Sequence, residues 1–233
     1  MLEILIQGIT EAFPISSSMH LTYAKHMFNL SCSTSASLHL GSSLAFALFS
    51  RSLICNLIFN PIINLKTNIK LFLLIIPTLI TGLILKKQLN CINSAYSNIF
   101  FAIIMLLSNQ QKENITLTNI SFKKTIIIGL LIISAFIPGA SRMGITYTFL
   151  RFFNFSKQNA LSLTILTGIP IISSAAIYTI IKQNEIISAK EIIATGILTY
   201  LSLFITQKTL NFWHIYSIYR IIFSFVYLYL NIA

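Results

Sequence analysis

Glu11, Ser16, Ser17, Ser18 and His20 crowd around one proline in the stretch Gln7-Gly8-Ile9-Thr10-Glu11-Ala12-Phe13-Pro14-Ile15-Ser16-Ser17-Ser18-Met19-His20. The surrounding segment is apolar enough to lie in a membrane. An ionisable side chain at bilayer depth costs about 2.5 to 3.5 kcal/mol on insertion scales, so a carboxylate, hydroxyls and an imidazole gathered there mark a candidate functional site. Glu11 can act as a base or bind a hard, oxygen-seeking cation. Ser17 can serve as nucleophile or phosphate ligand, and His20 can transfer a proton. On a helix, Gln7 and Glu11 stand one turn apart on the same face and project together. At least one of the three serines is expected instead to satisfy backbone groups freed around Pro14.

A second polar knot, Pro138-Gly139-Ala140-Ser141-Arg142-Met143-Gly144-Ile145-Thr146, supplies a permanent cation. The planar guanidinium fork of Arg142 suits phosphate oxygens, and the neighbouring glycines let backbone amides approach an anion closely. Arg142 stands deep in an apolar run and beside a break, so it reads as a phosphate clamp, with Ser141, Gly139 and Thr146 beside it, rather than as an arginine reaching for the interface. His26, His39 and His214 are weaker candidates, because a lone histidine near an interface is more often a local hydrogen-bond partner.

The elements that must hold these residues are apolar almost throughout. The chain is 55% hydrophobic and 9% charged, against about 25% charged in soluble domains. This predicts an all-α, polytopic integral membrane protein forming a single transmembrane domain over residues 1–233. Apolar runs fall at about 1–24, 37–59, 71–85, 96–108, 125–150, 160–181, 191–207 and 213–232. Those eight segments include two, at Pro14 and at Ile137-Pro138-Gly139, where a break coincides with dense polar residues. Irregular backbone at membrane depth is tolerated only inside protein or beside a wet cavity, so these two are expected to re-enter or unwind around a site.

Sixteen Lys and Arg oppose five acids, all of them Glu. The cations sit in short connections, at Lys66 and Lys70, Lys86 and Lys87, Lys112, Lys123 and Lys124, Arg151 and Lys157, and Lys182 and Lys190. There they are expected to anchor at anionic headgroups rather than to bind nucleic acid. They fall on both alternating sides, so the positive-inside rule does not set the orientation. Cys32, Cys55 and Cys91 have no metal or disulfide spacing. The start Met-Leu-Glu lacks a basic n-region, and no removable signal peptide is expected.

Sliding the chain by 124 positions superposes Pro14 on Pro138, Ser17 on Ser141, Met19 on Met143, Thr22 on Thr146, Tyr23 on Tyr147, Phe28 on Phe152 and Ala36 on Ala160. The pattern predicts an inverted internal repeat with halves of about 1–115 and 120–233, whose broken helices meet at a shared site.

The two motifs together, Gln7-x-x-x-Glu11 leading into Pro14-Ile15-Ser16-Ser17-Ser18-x-His20, and Pro138-Gly139-Ala140-Ser141-Arg142 with Thr146, resemble the undecaprenyl-diphosphatase family associated with bacitracin resistance. Leu38-His39-Leu40-Gly41 with Leu44-Ala45, Gly168-Ile169-Pro170 and Tyr219-Arg220-Ile221-Ile222 are also similar to the family, so the likeness covers nearly the whole chain. The resemblance implies hydrolysis of the terminal phosphate of a C55 polyprenyl diphosphate, which recycles the lipid carrier for peptidoglycan synthesis in the bacterial inner membrane. It also implies a divalent cation, Mg²⁺ or Ca²⁺. Carried onto this chain, Glu11, Ser17, His20 and Arg142 are the expected catalytic residues and Gln7, Ser16, Ser18, Gly139, Ser141 and Thr146 the expected substrate ligands, with Glu11 at the metal. The expected partners are the polyprenyl diphosphate and membrane lipids, with a homodimer left open.

Three positions depart from the family pattern. Gln7 stands where many members carry Glu, so the first motif leans on Glu11 alone. Met19 replaces a small glycine, and Met143 replaces a second serine after the arginine. A rival class is a transporter or flippase for an anionic lipid, which shares repeats and broken helices. A carrier needs binding groups but not a nucleophile beside a proton shuttle. A second rival, a membrane scaffold without turnover, is disfavoured by connections of at most about 16 residues.

Overall fold

Pro14 and Pro138 end helices, whereas Pro77 and Pro170 are absorbed within them, and this difference shapes the molecule. The structure, a computed structural model, describes residues 1–28, 36–84, 94–108, 115–183 and 185–232. Among them the order is α1 (Leu2–Thr10), α2 (Ser17–Phe28), α3 (Ala36–Phe49), α4 (Arg51–Phe59), α5 (Leu65–Ile84), α6 (Ser94–Ser108), α7 (Phe122–Ile132), a short 3₁₀ turn (Ile133–Phe136), α8 (Arg142–Phe152), α9 (Lys157–Gln183), α10 (Ala189–Lys208), a second 3₁₀ turn and α11 (Trp213–Ile232). No strand occurs among the described residues; the fold is all-α.

Each expected apolar run holds one helix or one broken pair. Among the described residues, Leu65–Gly82, Lys157–Lys182 and Ala189–Lys208 are long and apolar enough to cross a membrane, and α3 with α4 passes as a pair bent by 70°. That makes three or four candidate spans where eight segments were expected, in a multi-pass membrane fold. The bend after Phe49 has no proline to announce it. Beyond it α4 buries none of its residues, so it runs along the outside of the bundle.

Two of the expected headgroup anchors are structural instead. Lys70 is buried inside α5 and donates from Nζ to the carbonyls of Leu117 at 3.0 Å and Thr118 at 2.7 Å. Arg151 is buried at the end of α8 and donates to the Phe155 carbonyl. A cation taken from water must find acceptors, and loop carbonyls supply them here. Cys55 is a free, exposed thiol; Cys32, Cys91, Lys86, Lys87 and Lys112 lie outside the described residues.

Part of the helix packing follows a two-fold exchange, although the α8–α9 and α6–α8 contacts have no counterpart of similar extent in it. Mapping α1 to α7, α2 to α8, α3 to α9, α5 to α10 and α6 to α11 turns the α1–α10 contact into α7–α5 and the α3–α10 contact into α9–α5. The α3–α9 and α6–α11 contacts map onto themselves. The two breaks are alike in backbone: Ser16 (φ 69°) immediately precedes α2, and Ser141 (φ 68°) immediately precedes α8. These serines are 125 positions apart, one more than the proline register, because the second break contains one more residue between its proline and its helix. The helix starts, rather than the prolines, are the equivalent points.

Candidate active site

Broken helices leave main-chain groups without partners, and both breaks are stitched by side chains, most of them from distant elements. At the first, Thr206 donates to the Ala12 carbonyl at 3.1 Å, and the His20 ring holds the Ser16 carbonyl at 2.8 Å through Nδ1. At the second, Ser97 donates to the Pro138 carbonyl, and the buried guanidinium of Arg220 donates from Nη2 to Gly139 O at 3.0 Å and Ala140 O at 2.8 Å. Asn98 orients that arginine, accepting from Nε at 2.7 Å. Ser16 and Ser141 are thereby held in the left-handed region, a conformation that costs of order 1–3 kcal/mol and persists only where the surroundings impose it.

The stitched breaks aim two helix N-termini at one cavity of about 140 Å³, lined by Ser16, Ser17 and Ser18 from one and Ser141, Arg142 and Met143 from the other. Thr10, Glu11, Phe13, His39, Ala135 and Ile137 complete the wall. Unpaired amides and the positive ends of two helix dipoles favour an anion there.

Glu11 lies at the centre of the polar contacts. Arg142 Nη2 donates to its Oε1 at 2.5 Å; Ser17 Oγ at 2.6 Å and Gln7 Nε2 at 2.9 Å donate to its Oε2. The Arg142–Glu11 ion pair is partly buried and joins residues 131 positions apart, so it clasps the two breaks together. Phe46 lies beneath the guanidinium, 5.4 Å from ring centroid to Cζ. Gly168 makes that approach possible: a Cβ there would collide with Arg142 Nη1 and press on Phe46.

Around this knot three buried polar atoms have no hydrogen-bond partner among the described residues: Gln7 Oε1, Arg142 Nη1 and His39 Nδ1. A buried unpaired polar atom costs about 1–3 kcal/mol. Three at one site point to a polar ligand that completes them.

The expected site residues divide accordingly. Glu11, Ser17, Arg142, Ser16, Ser18 and Ser141 share the cavity, and Gln7 reaches it through Glu11. Thr146 is buried outside the wall, and Gly139 contributes a carbonyl that Arg220 occupies. His20 faces the other way. Its Nδ1 must carry the proton to bond the Ser16 carbonyl, so in the neutral ring Nε2 accepts from the Tyr219 hydroxyl at 2.7 Å. The ring also stacks on Phe223 at 4.1 Å. His39, a weaker candidate by sequence, is the histidine in the cavity wall. Arg220 was visible only as part of the closing resemblance, and its bonds to the second break could not be read from its position in the chain.

A family model described as bacitracin resistance protein BacA matches residues 3–226. A protein of Pelagibacter ubique (strain HTCC1062) named "Undecaprenyl-diphosphatase" is 30% identical over 245 residues, covering 95% of this chain and 93% of the relative. A namesake from Thermosipho melanesiensis (strain DSM 12029 / CIP 104789 / BI429) is 32% identical over 95% of this chain and 96% of its own length. Another, from Prochlorococcus marinus (strain NATL2A), is 36% identical over 72% of this chain and 69% of its own length. With a family match spanning almost the whole chain, and both polar breaks folded onto one anion-ready cavity, the chain belongs to the bacitracin resistance protein BacA family.

Proposed function

We propose that the chain hydrolyses undecaprenyl diphosphate, or a closely related polyprenyl diphosphate, to the monophosphate and inorganic phosphate in the bacterial inner membrane. This would recycle the lipid carrier for cell-wall synthesis. The observation that carries the reading is the Ser17 hydroxyl donating to Glu11 within 2.6 Å, on a carboxylate also clasped by Arg142, at the mouth of two helix N-termini. Phosphoryl transfer asks chiefly for positioning and for charge to meet the phosphate oxygens. Arg142, with one guanidinium nitrogen unpartnered, and the first-turn amides of α2 and α8 provide that charge. Ser17 has a carboxylate oxygen ready to take its proton as Oγ attacks the terminal phosphorus. Where Ser17 is only a phosphate ligand, the same arrangement positions a water for in-line attack.

The divalent cation suits the donors present. Among the described residues no group of three or more His, Cys, Asp or Glu could hold a metal ion. The orphaned Oε1 of Gln7 and the carboxylate of Glu11 are nevertheless hard oxygen donors beside the cavity. Mg²⁺ is commonly held by one or two carboxylates, with substrate phosphates and water completing its shell. Bound by Glu11 and Gln7, Mg²⁺ or Ca²⁺ would neutralise diphosphate oxygens.

The test is purified protein in detergent, given a polyprenyl diphosphate and assayed for phosphate and polyprenyl monophosphate. The expected outcome is stoichiometric release that stops in EDTA and returns with Mg²⁺ or Ca²⁺. Full activity in chelator would remove the metal from the mechanism. Binding without any release would favour a lipid-phosphate carrier.

A further inference from the structure

Hydrolysis of a phosphoanhydride consumes one water, and that water must lose a proton whether it attacks the substrate directly or a phosphoryl group already on Ser17. The groups that could take the proton are few. Each oxygen of Glu11 already accepts from the protein, one from Arg142 and the other from Ser17 and Gln7. His20, the imidazole nearest Ser17 in sequence, has both nitrogens engaged, with the Ser16 carbonyl and with Tyr219, and does not line the cavity. His39 differs on each count. It reaches the cavity from α3, a helix that belongs to neither break, and its Nδ1 is buried with no hydrogen-bond partner among the described residues. The charges acting on it are Glu11 from the end of α1, Arg142 from the start of α8 and Glu185 ahead of α10.

We propose that His39 is the catalytic group that accepts the proton of the attacking water. The assignment rests on the hydrolytic reading above. The water oxygen forms its bond to phosphorus. The bond from phosphorus to the bridging oxygen, or to Ser17 Oγ after transfer, breaks with its electron pair staying on that oxygen. The water proton passes to the His39 imidazole and from there to the departing phosphate or to solvent. A neutral imidazole carries a ring nitrogen lone pair that can accept a proton. His20 becomes a positioning residue, holding Ser16 in its left-handed conformation so that Ser17 opens α2 at the cavity.

The test uses full-length protein in detergent with a polyprenyl diphosphate and the divalent cation. Removing a positioned proton-transfer group costs on the order of 100-fold or more in kcat. His39→Gln, which keeps size and hydrogen bonding, should show such a loss with KM little changed. His39→Ala should recover part of its kcat when free imidazole is added, a response that a packing role would not give. Wild-type turnover in His39→Gln, or loss of activity without imidazole rescue, would overturn the assignment. A wild-type chain that releases no phosphate would overturn the hydrolytic reading and this role with it, whereas an active wild type with an unimpaired His39→Gln overturns the role alone.

Discussion

Arg142 and Ser17 both bond Glu11, yet the chemistry asks different things of them. In its proposed role as a phosphate clamp Arg142 would act through geometry: its guanidinium bonds Glu11 while lying over Phe46, and a point-charge ammonium cannot reproduce that placement. Arg142→Lys is therefore expected to weaken substrate binding and turnover despite keeping its charge. Ser17→Ala should lower kcat while leaving KM nearly unchanged, because a nucleophile contributes mainly in the transition state. Steady-state kinetics of the two variants checks the distinction. A normal saturated rate in Ser17→Ala would leave Ser17 as a phosphate ligand and water as the nucleophile. At this scale the sequence was informative where chemistry and spacing coincide: Glu11, Ser17 and Arg142 are conspicuous because ionisable and hydroxyl groups are costly in an apolar segment. Which histidine faces them was not legible. His20 sits one turn along the helix that Ser17 opens, but α11 draws its ring away to Tyr219 and Phe223, and His39 arrives from a helix with no other ionisable residue to mark it.

Helices supply the precision that loops could not. Both polar breaks were readable from a proline beside clustered hydroxyls, and the repeat pointed to their equivalence. The one-residue difference in register was not, since it becomes visible only when Ser16 and Ser141 are seen in the same backbone conformation ahead of their helices. Nor was the 70° bend between α3 and α4, which no proline announces. Cross-element contacts matter as much as the breaks themselves. Gly168 of α9 lets Arg142 lie against Phe46, and a methyl there must displace the guanidinium from its place beside Glu11. Misplacing a reacting or positioning group by about 1 Å can cost on the order of 100-fold in rate. Gly168→Ala is accordingly expected to reduce kcat/KM by ~10- to 100-fold while the protein still purifies as a folded species with a similar thermal midpoint. An unchanged kcat/KM would show that Arg142 tolerates a different seat.

Taken whole, the molecule brings its two broken helices together, and the clasp between them is the Arg142–Glu11 pair. Architecture of this kind also serves carriers, so the fold by itself does not decide between moving a lipid phosphate and cleaving it. The decision rests on Glu11, the one acidic residue in the cavity wall among the described residues and a bond partner of the serine, the arginine and the glutamine. Glu3, eight positions earlier in the first turn of α1, provides an internal control that shares the chemistry of Glu11 but not its contacts. The most direct measurement is phosphate release from a polyprenyl diphosphate by purified wild-type, Glu11→Gln and Glu3→Gln proteins under saturating substrate and divalent cation. The glutamine at position 11 keeps shape and hydrogen bonding but removes the charge, so kcat should fall by at least ~100-fold, while Glu3→Gln turns over at the wild-type rate. Near-normal turnover in Glu11→Gln together with a loss in Glu3→Gln would place the chemistry on a different carboxylate and contradict the site described above.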